Sequence, residues 1–331
     1  MRLFLVLSLL VGLAGCGGQQ QQTSPSRADE LAEIKLQLNW FPEVEHGGFY
    51  AAKAHDYFKQ GCLNVELTPG GPGVNVWAMV DRGRADFGLV NADRVLLARA
   101  QGASLKAILA PFQHSPRCIL VHAESEIATL ADLSDVTLSM NETALFSQFL
   151  QKTQPLKNVQ IVPYSGSLGP FLVNPQYATQ GYVFSEPLIA QQKGVAVRSL
   201  MLSEIGFDPY TSVVVCREEM MEKQPELVQQ FVSACVQGWL HYLENPHQTN
   251  PVIQQDNPEI EAEILDQGAY ALHPLISPNQ QQQTLKPMEL SRWQTLKQQL
   301  EETGTEFPAD FEIDAVFTNA FLPKPAPTAE D

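Results

Sequence analysis

Positive charge is what this 331-residue chain has least of: 21 Lys and Arg stand against 37 Asp and Glu, a formal net charge of −16. No Lys/Arg-rich run offsets that balance. An acidic chain of this kind repels nucleic acid and acidic lipid through its general field, which excludes partners bound through a phosphate backbone. Cysteine is also scarce, at five. Cys62, Cys118, Cys216 and Cys235 show neither CxxC nor Cys/His ligand spacing, so a zinc site is not expected, while one or two disulfides stay open. Cys118, Cys216 and Cys235 lie within apolar runs and read as small buried hydrophobes. The one long apolar run is LFLVLSLLVGLA after Met1 and Arg2, too short to span a bilayer as a stable helix. No phosphate-cradling loop is complete either. Thr68-Pro69-Gly70-Gly71-Pro72-Gly73 lacks the Lys-Ser/Thr ending of a P-loop and the spacing of a dinucleotide fingerprint.

What is present begins with export. The charged start and apolar run read as a secretory leader, and Leu13-Ala14-Gly15-Cys16 at its end resembles a lipobox. Residues 1–15 are therefore expected to be removed as a lipoprotein signal peptide, leaving Cys16 as a lipidated first residue that holds the protein on a membrane. That loss takes Arg2 with it, so −16 becomes −17. Residues 16–32, with a Gln run and Ser24-Pro25-Ser26, read as a flexible tether. The remainder, in a chain of 44% hydrophobic composition, can build a large core in two domains or one.

The pattern after the tether alternates strands and helices. Ile34, Leu36, Leu38 and Trp40 alternate with polar residues as a strand does, and Pro42 ends it. A helix is expected over Phe49–Phe58, starting near His46-Gly47-Gly48. A strand end, a short loop and a helix start leave free backbone N–H groups beside a Trp, two carboxylates and an imidazole, a place to hold a small planar polar molecule. A second strand, Leu63–Leu67, runs into the glycine loop, where Gly71 lets the backbone approach a ligand closely. A helix at Val74–Arg82, a buried strand ending at Val90, a helix at Arg94–Gln101 and a strand at Leu105–Ala110 follow. This succession argues for a parallel-rich α/β sheet with ligands outside the carboxyl ends of its strands.

Several residues have two readings. Trp40 is either core or a stacking platform, and its polar neighbours Asn39, Glu45 and His46 tip it towards the ligand. Glu43 reads as solvated. His46 has no second His at ligand spacing and suits hydrogen bonding rather than metal. Tyr50 either covers a cleft or packs. Asn91 and Asp93 follow a strand end, where they either meet ligand or cap the next helix. Tyr164 lies in the loop Tyr164-Ser165-Gly166-Ser167. Glu186 follows an expected strand, Gly181–Ser185, where a helix-cap role worth about 1 kcal/mol is the plainer reading. Beyond it, Val228, Val232, Cys235, Trp239 and Tyr242 form the apolar stripe of a helix over Pro225–Leu243, and further helices are expected at Asn257–Ala271 and Pro287–Thr303.

Taken together, LQLNWFPEVEHGGFYAAKAHDYF, GRADFGLVNADRVLLARAQG, QHSPRCILVHAES and GYVFSEPLIAQQKG resemble the periplasmic solute-binding proteins that include the thiamine pyrimidine precursor-binding proteins. Relatives of that family bind nitrate, sulfonates, taurine or riboflavin. The resemblance implies an α/β chain with the two-lobe type II periplasmic binding protein fold, its parallel-rich sheets flanked by helices and joined by two crossover strands. Irregular segments place the crossovers near Gln113–Val121 and at Tyr210–Cys216. Residues 33–115 and 210–322 then form the first lobe, 116–209 the second and 323–331 a disordered tail.

The implied function is that of a monomeric binding lipoprotein that closes on a small planar heterocycle and passes it to an ABC permease in the inner membrane, with no cofactor and no catalysis. Trp40 and Tyr50 would sandwich the ring while Glu186, by the family's pattern, accepts hydrogen bonds from a ring amino group. The loops supply glutamates, an aspartate and aromatics rather than cations. This ranks a hydroxymethyl- or formylamino-pyrimidine first, riboflavin second, and a sulfonate, taurine or nitrate third. The same superfamily includes a eukaryotic pyrimidine synthase that works with pyridoxal phosphate and iron. Its CCCFC segment is absent here and no Lys lies between Trp40 and His46, so that enzyme reading is set aside.

Overall fold

A computed structural model describes residues 31–276 and 284–324. The leader, Cys16, the tether as far as Glu30, the Gln280–Gln283 loop and the tail from 325 lie outside the described residues. Four strands open the fold: β1 (Ala32–Gln37), β2 (Leu63–Thr68), β3 (Phe87–Val90) and β4 (Leu105–Leu109). Five more build a second sheet: β5 (Arg117–His122), β6 (Thr137–Ser139), β7 (Gln160–Val162), β8 (Tyr177–Tyr182) and β9 (Val197–Met201). The chain then returns as β10 (Val213–Arg217) to the middle of the first sheet, whose order is β2-β1-β3-β10-β4. β1 is parallel to β2 and β3, while β10 is antiparallel to β3 and β4. The second sheet repeats the plan as β7-β6-β8-β5-β9, with β5 antiparallel to both of its neighbours.

Helices flank each sheet, giving two lobes. The segments that join them, 110–116 and 206–212, meet in an antiparallel bridge between Phe112 and Thr211. Asp208 reinforces the junction by accepting from the Ser115 backbone N–H at 2.6 Å.

Where elements differ from expectation, the reason is local. The strand expected to reach Trp40 ends at Gln37, and the helix expected over Phe49–Phe58 is divided into a 3-10 turn (Val44–His46), a helix (Gly47–Ala54) and a short helix (Tyr57–Gln60). The last break lies at Asp56, which adopts a left-handed conformation with φ 59°. The strand expected at Gly181–Ser185 lies earlier, as β8, because Tyr177, Ala178 and Thr179 pair with Thr137, Leu138 and Ser139. Its exit turn covers 183–185, and Glu186 opens the helix Glu186–Gln192. Asn257 does not begin a helix; it caps the end of Pro246–Asp256, and Ala262–Ile276 follows.

The apolar stripe on the helix Pro225–Glu244 packs as its spacing requires, with Val228, Val232, Cys235, Trp239 and Tyr242 fully buried. It lies against the helix Gly47–Ala54 at very close range. A Cβ on Gly47 would overlap the Tyr242 ring, one on Gly48 the Trp239 ring, and one on Gly238 the Gly48 carbonyl oxygen. His46-Gly47-Gly48 therefore owes its glycines to helix packing. The four described cysteines are free thiols, Cys62 exposed and the other three buried.

Candidate functional site

A cavity of about 420 Å³ opens where the strand ends of the two lobes face each other, within the range of roughly 300–1,000 Å³ common for small-molecule sites. The first lobe supplies Asn39, Trp40, Glu43 and Glu45 from the loop after β1, Trp77 from the helix Val76–Asp81, and Asn91 from the end of β3. The second supplies Arg117 from β5, Asn141, Tyr164, Gln180 and Tyr182 from the strand-end side, and Glu186 from its helix start.

The order of the first wall rests on His46, which is itself buried behind it. The Glu43 backbone N–H donates to His46 Nδ1 at 3.2 Å. That bond assigns the neutral ring's single proton to Nε2, which donates to Asn39 Oδ1 at 2.9 Å. Glu45 Oε1 also lies 3.2 Å from Nε2, but the ring has one N–H and Asn39 holds it. Glu45 is thus left with Oε2 accepting from the Ser212 hydroxyl at 3.3 Å and Oε1 buried without a donor among the described residues. An unmatched acceptor on a residue that lines a cavity is one that a bound N–H would satisfy.

Glu43 was expected to be solvated, and the structure corrects this: it is 8% exposed and its Oε2 accepts from the Ser185 hydroxyl of the other lobe at 2.9 Å. Burial, then the Glu45 and Glu186 carboxylates, push its carboxyl well above the usual range against the opposing pull of Ser185 and Arg117. A second bond between the lobes runs from Asn91 Nδ2 to the Tyr182 hydroxyl at 3.3 Å, while Asn91 Oδ1 accepts from the Ser212 N–H at 3.2 Å. Asn91 thereby joins three segments, and its side chain does not cap the following helix.

On the second wall Glu186 is fully engaged. Oε1 accepts from the Tyr164 hydroxyl at 2.9 Å and Oε2 from the Tyr182 N–H at 2.7 Å. Burial pushes the Tyr182 hydroxyl up to about 12, so it stays a neutral donor. Gln180 Oε1 accepts from the Asn141 N–H at 2.7 Å, which turns its amide NH₂ to other use. Arg117 stands directly opposite Tyr182 in the β5–β8 register, and cross-strand partners share a face. Its guanidinium carbon lies 4.2 Å from the Tyr182 ring centroid and 4.6 Å from that of Phe146.

Of the residues singled out from sequence, Asn39, Trp40, Glu45, Asn91, Tyr164 and Glu186 come together around this cavity. Four do not line it. His46 sits behind Asn39. Tyr50 is fully buried and its hydroxyl donates to Asp256 Oδ2 at 2.8 Å, because its turn of helix faces Pro246–Asp256 rather than the cleft. Gly71 packs under the Phe41 ring, and the backbone reaches the cavity two residues later, at Gly73. Asp93 is turned towards Arg94, 3.9 Å away, with burial raising its carboxyl. Arg117, Arg94, Trp77, Gln180 and Tyr182, none of them among the residues expected at the site, also lie on the cavity wall. The two arginines also correct the expectation of a site without cations. The one available signal for Arg117 was a cation at the head of an apolar strand in SPRCILV.

With this geometry in view, comparison with known proteins is decisive at the level of family. A family described as NMT1/THI5 like matches residues 43–249. The chain belongs to that family. Two curated relatives align over most of its length. A riboflavin-binding protein, RibY of Chloroflexus aurantiacus, is 21% identical over 91% of this chain and 89% of its own. A formylaminopyrimidine-binding protein of Halalkalibacterium halodurans is 23% identical over 78% and 81%. The periplasmic aliphatic sulphonate binding protein SsuA of Escherichia coli shares the fold, with a TM-score of 0.65 at 16% identity over 89% of this chain and 92% of that one. The NMT1/THI5-like chain thus has the two-lobe type II periplasmic binding protein fold.

Proposed function

We propose that this protein is the solute-binding component of an ABC importer, and that its cavity takes a small flat heterocycle bearing an N–H donor edge, a thiamine pyrimidine precursor ahead of other candidates. The observation that carries this reading is Glu45, a buried residue that lines the cavity and whose Oε1 has no donor of its own among the described residues. A ring amino group supplies what it lacks. Trp40 and Trp77 line the same cavity with flat apolar surface, and Asn39 is held in place by His46. Glu186, in this reading, acts through the Tyr164 hydroxyl that it orients. The 23%-identical formylaminopyrimidine-binding relative supports the same class.

Riboflavin is the second reading, favoured by the RibY relative that spans 91% of this chain. Both are flat and carry ring N–H or amino groups. A compact anion ranks third, because Glu43, Glu45 and Glu186 share the cavity with the two arginines. The protein acts outside the cytoplasm as a monomer, delivers its ligand to a membrane permease and catalyses no reaction.

A thermal-shift panel of hydroxymethyl- and formylamino-pyrimidine, riboflavin, taurine and nitrate tests the ligand class. At a hundredfold excess over Kd, a true ligand adds about 2.7 kcal/mol of stability. A shift with taurine or nitrate alone sinks the heterocycle reading. Membrane attachment is assigned to Cys16 on the lipobox-like LAGC. Cys16→Ser is expected to move the protein from the membrane pellet to the soluble extracytoplasmic fraction, and continued sedimentation with membranes would contradict the anchor.

A further inference from the structure

The cavity presents its polar groups in two opposed kinds. On the first lobe Glu45 offers an unmatched acceptor. On the second, Arg117 offers donors: among the described residues its guanidinium hydrogen-bonds to no protein acceptor and forms no ion pair. That is unusual for an arginine facing three glutamates across a small cavity. The backbone explains it. Pairing with Tyr182 fixes the side chain's face, and the guanidinium lies over the Tyr182 and Phe146 rings, centroids 4.2 and 4.6 Å from its carbon. Both contacts are to ring faces, which accept no N–H bond in the guanidinium plane, so its N–H groups are left to be read by a ligand. Tyr182 is in turn held by Asn91, whose Nδ2 donates to its hydroxyl at 3.3 Å.

Resting on the heterocycle reading above, we infer that Arg117 is a specificity-determining residue that reads a carbonyl oxygen of the ligand, on the side opposite the N–H edge that Glu45 accepts. The cavity then selects molecules with a donor edge and a carbonyl edge together, as formylaminopyrimidine and riboflavin have. Hydroxymethylpyrimidine, which has an amino group and no carbonyl, satisfies only half of it. A neutral carbonyl fits the surroundings better than a phosphate or sulfonate, because Glu43, Glu45 and Glu186 line the same space.

The test compares Arg117→Met, which keeps an unbranched side chain against the two rings without donors, and Arg117→Lys, which keeps charge without the fork. Kd is measured by calorimetry for formylaminopyrimidine, riboflavin, hydroxymethylpyrimidine and taurine, alongside the melting temperature of each unliganded variant. Arg117→Met is expected to weaken the carbonyl-bearing ligand about 10- to 100-fold, with Arg117→Lys intermediate and any binding of hydroxymethylpyrimidine kept within about twofold. Equal losses for ligands with and without a carbonyl, or a loss below about twofold for the carbonyl-bearing ligand, would overturn the assignment. So would taurine binding in the wild type that Arg117→Met abolishes, since the arginine would then read an anion. A wild-type protein that binds none of the heterocycles refutes the proposed ligand class itself, whatever the variants do.

Discussion

Glu45→Gln is expected to weaken binding of the heterocycle by roughly 10- to 100-fold while leaving the unliganded protein at least as stable as before. The first half follows from a charge-assisted hydrogen bond being worth about 1.5–3 kcal/mol, much of which a neutral amide forfeits. The second half follows from the same atom's surroundings without ligand. Glu45 is fully buried, its Oε1 has no donor among the described residues, and His46 turns its one proton towards Asn39. Removing a buried carboxylate that is poorly matched is often neutral or stabilising. The two readouts move in opposite directions, which is the signature of a residue kept for its ligand. Titration calorimetry and apo melting curves check it together. Unchanged affinity would remove Glu45 from the site, and a parallel fall in affinity and apo melting temperature would make it a structural residue.

Gly238→Ala carries the largest expected cost in stability. In an exposed helix interior the change would favour folding by about 1 kcal/mol through helix propensity alone. Here the new Cβ would overlap the Gly48 carbonyl oxygen and meet Ala52. Over-packing of this kind costs about 1–3 kcal/mol, and a backbone atom yields less easily than a side chain. Packing therefore outweighs propensity, and a drop of several degrees in melting temperature is expected. A variant that melts at or above the wild-type temperature would show that the two helices have room to separate.

How far such contacts were legible depended on their range. The stripe from Val228 to Tyr242 needs only its own spacing to be recognised, and it packs as read. The alternation that marked β1 and β2 is equally local, as is the glycine loop. Glu43 illustrates the opposite case. A lone glutamate beside a proline carries no mark of burial, because what covers it, Ser185, is 142 positions away. Arg117 is similar: its face and its stacking depend on Tyr182 and Phe146, supplied by a register that no local pattern encodes. Tyr50 was ambiguous for the same reason, since Asp256 decides it. The misplacement of the strand before Glu186 arose because GYVFS is apolar enough to be a strand, yet the pairing with β6 draws on residues before it.

The position of β10 has a consequence for how the molecule is made. It occupies the middle of the first sheet, between β3 and β4, yet it is reached only after the whole of the second lobe. The second sheet draws on one unbroken stretch, from Arg117 to Met201. A chain that emerges from its N-terminus can therefore close its later lobe first, while β3 and β4 wait with unpaired edges for a partner far along the sequence. Long-range closure of this kind is slow, and open strand edges are where aggregation begins. The lobe that begins the sequence is the last to be finished.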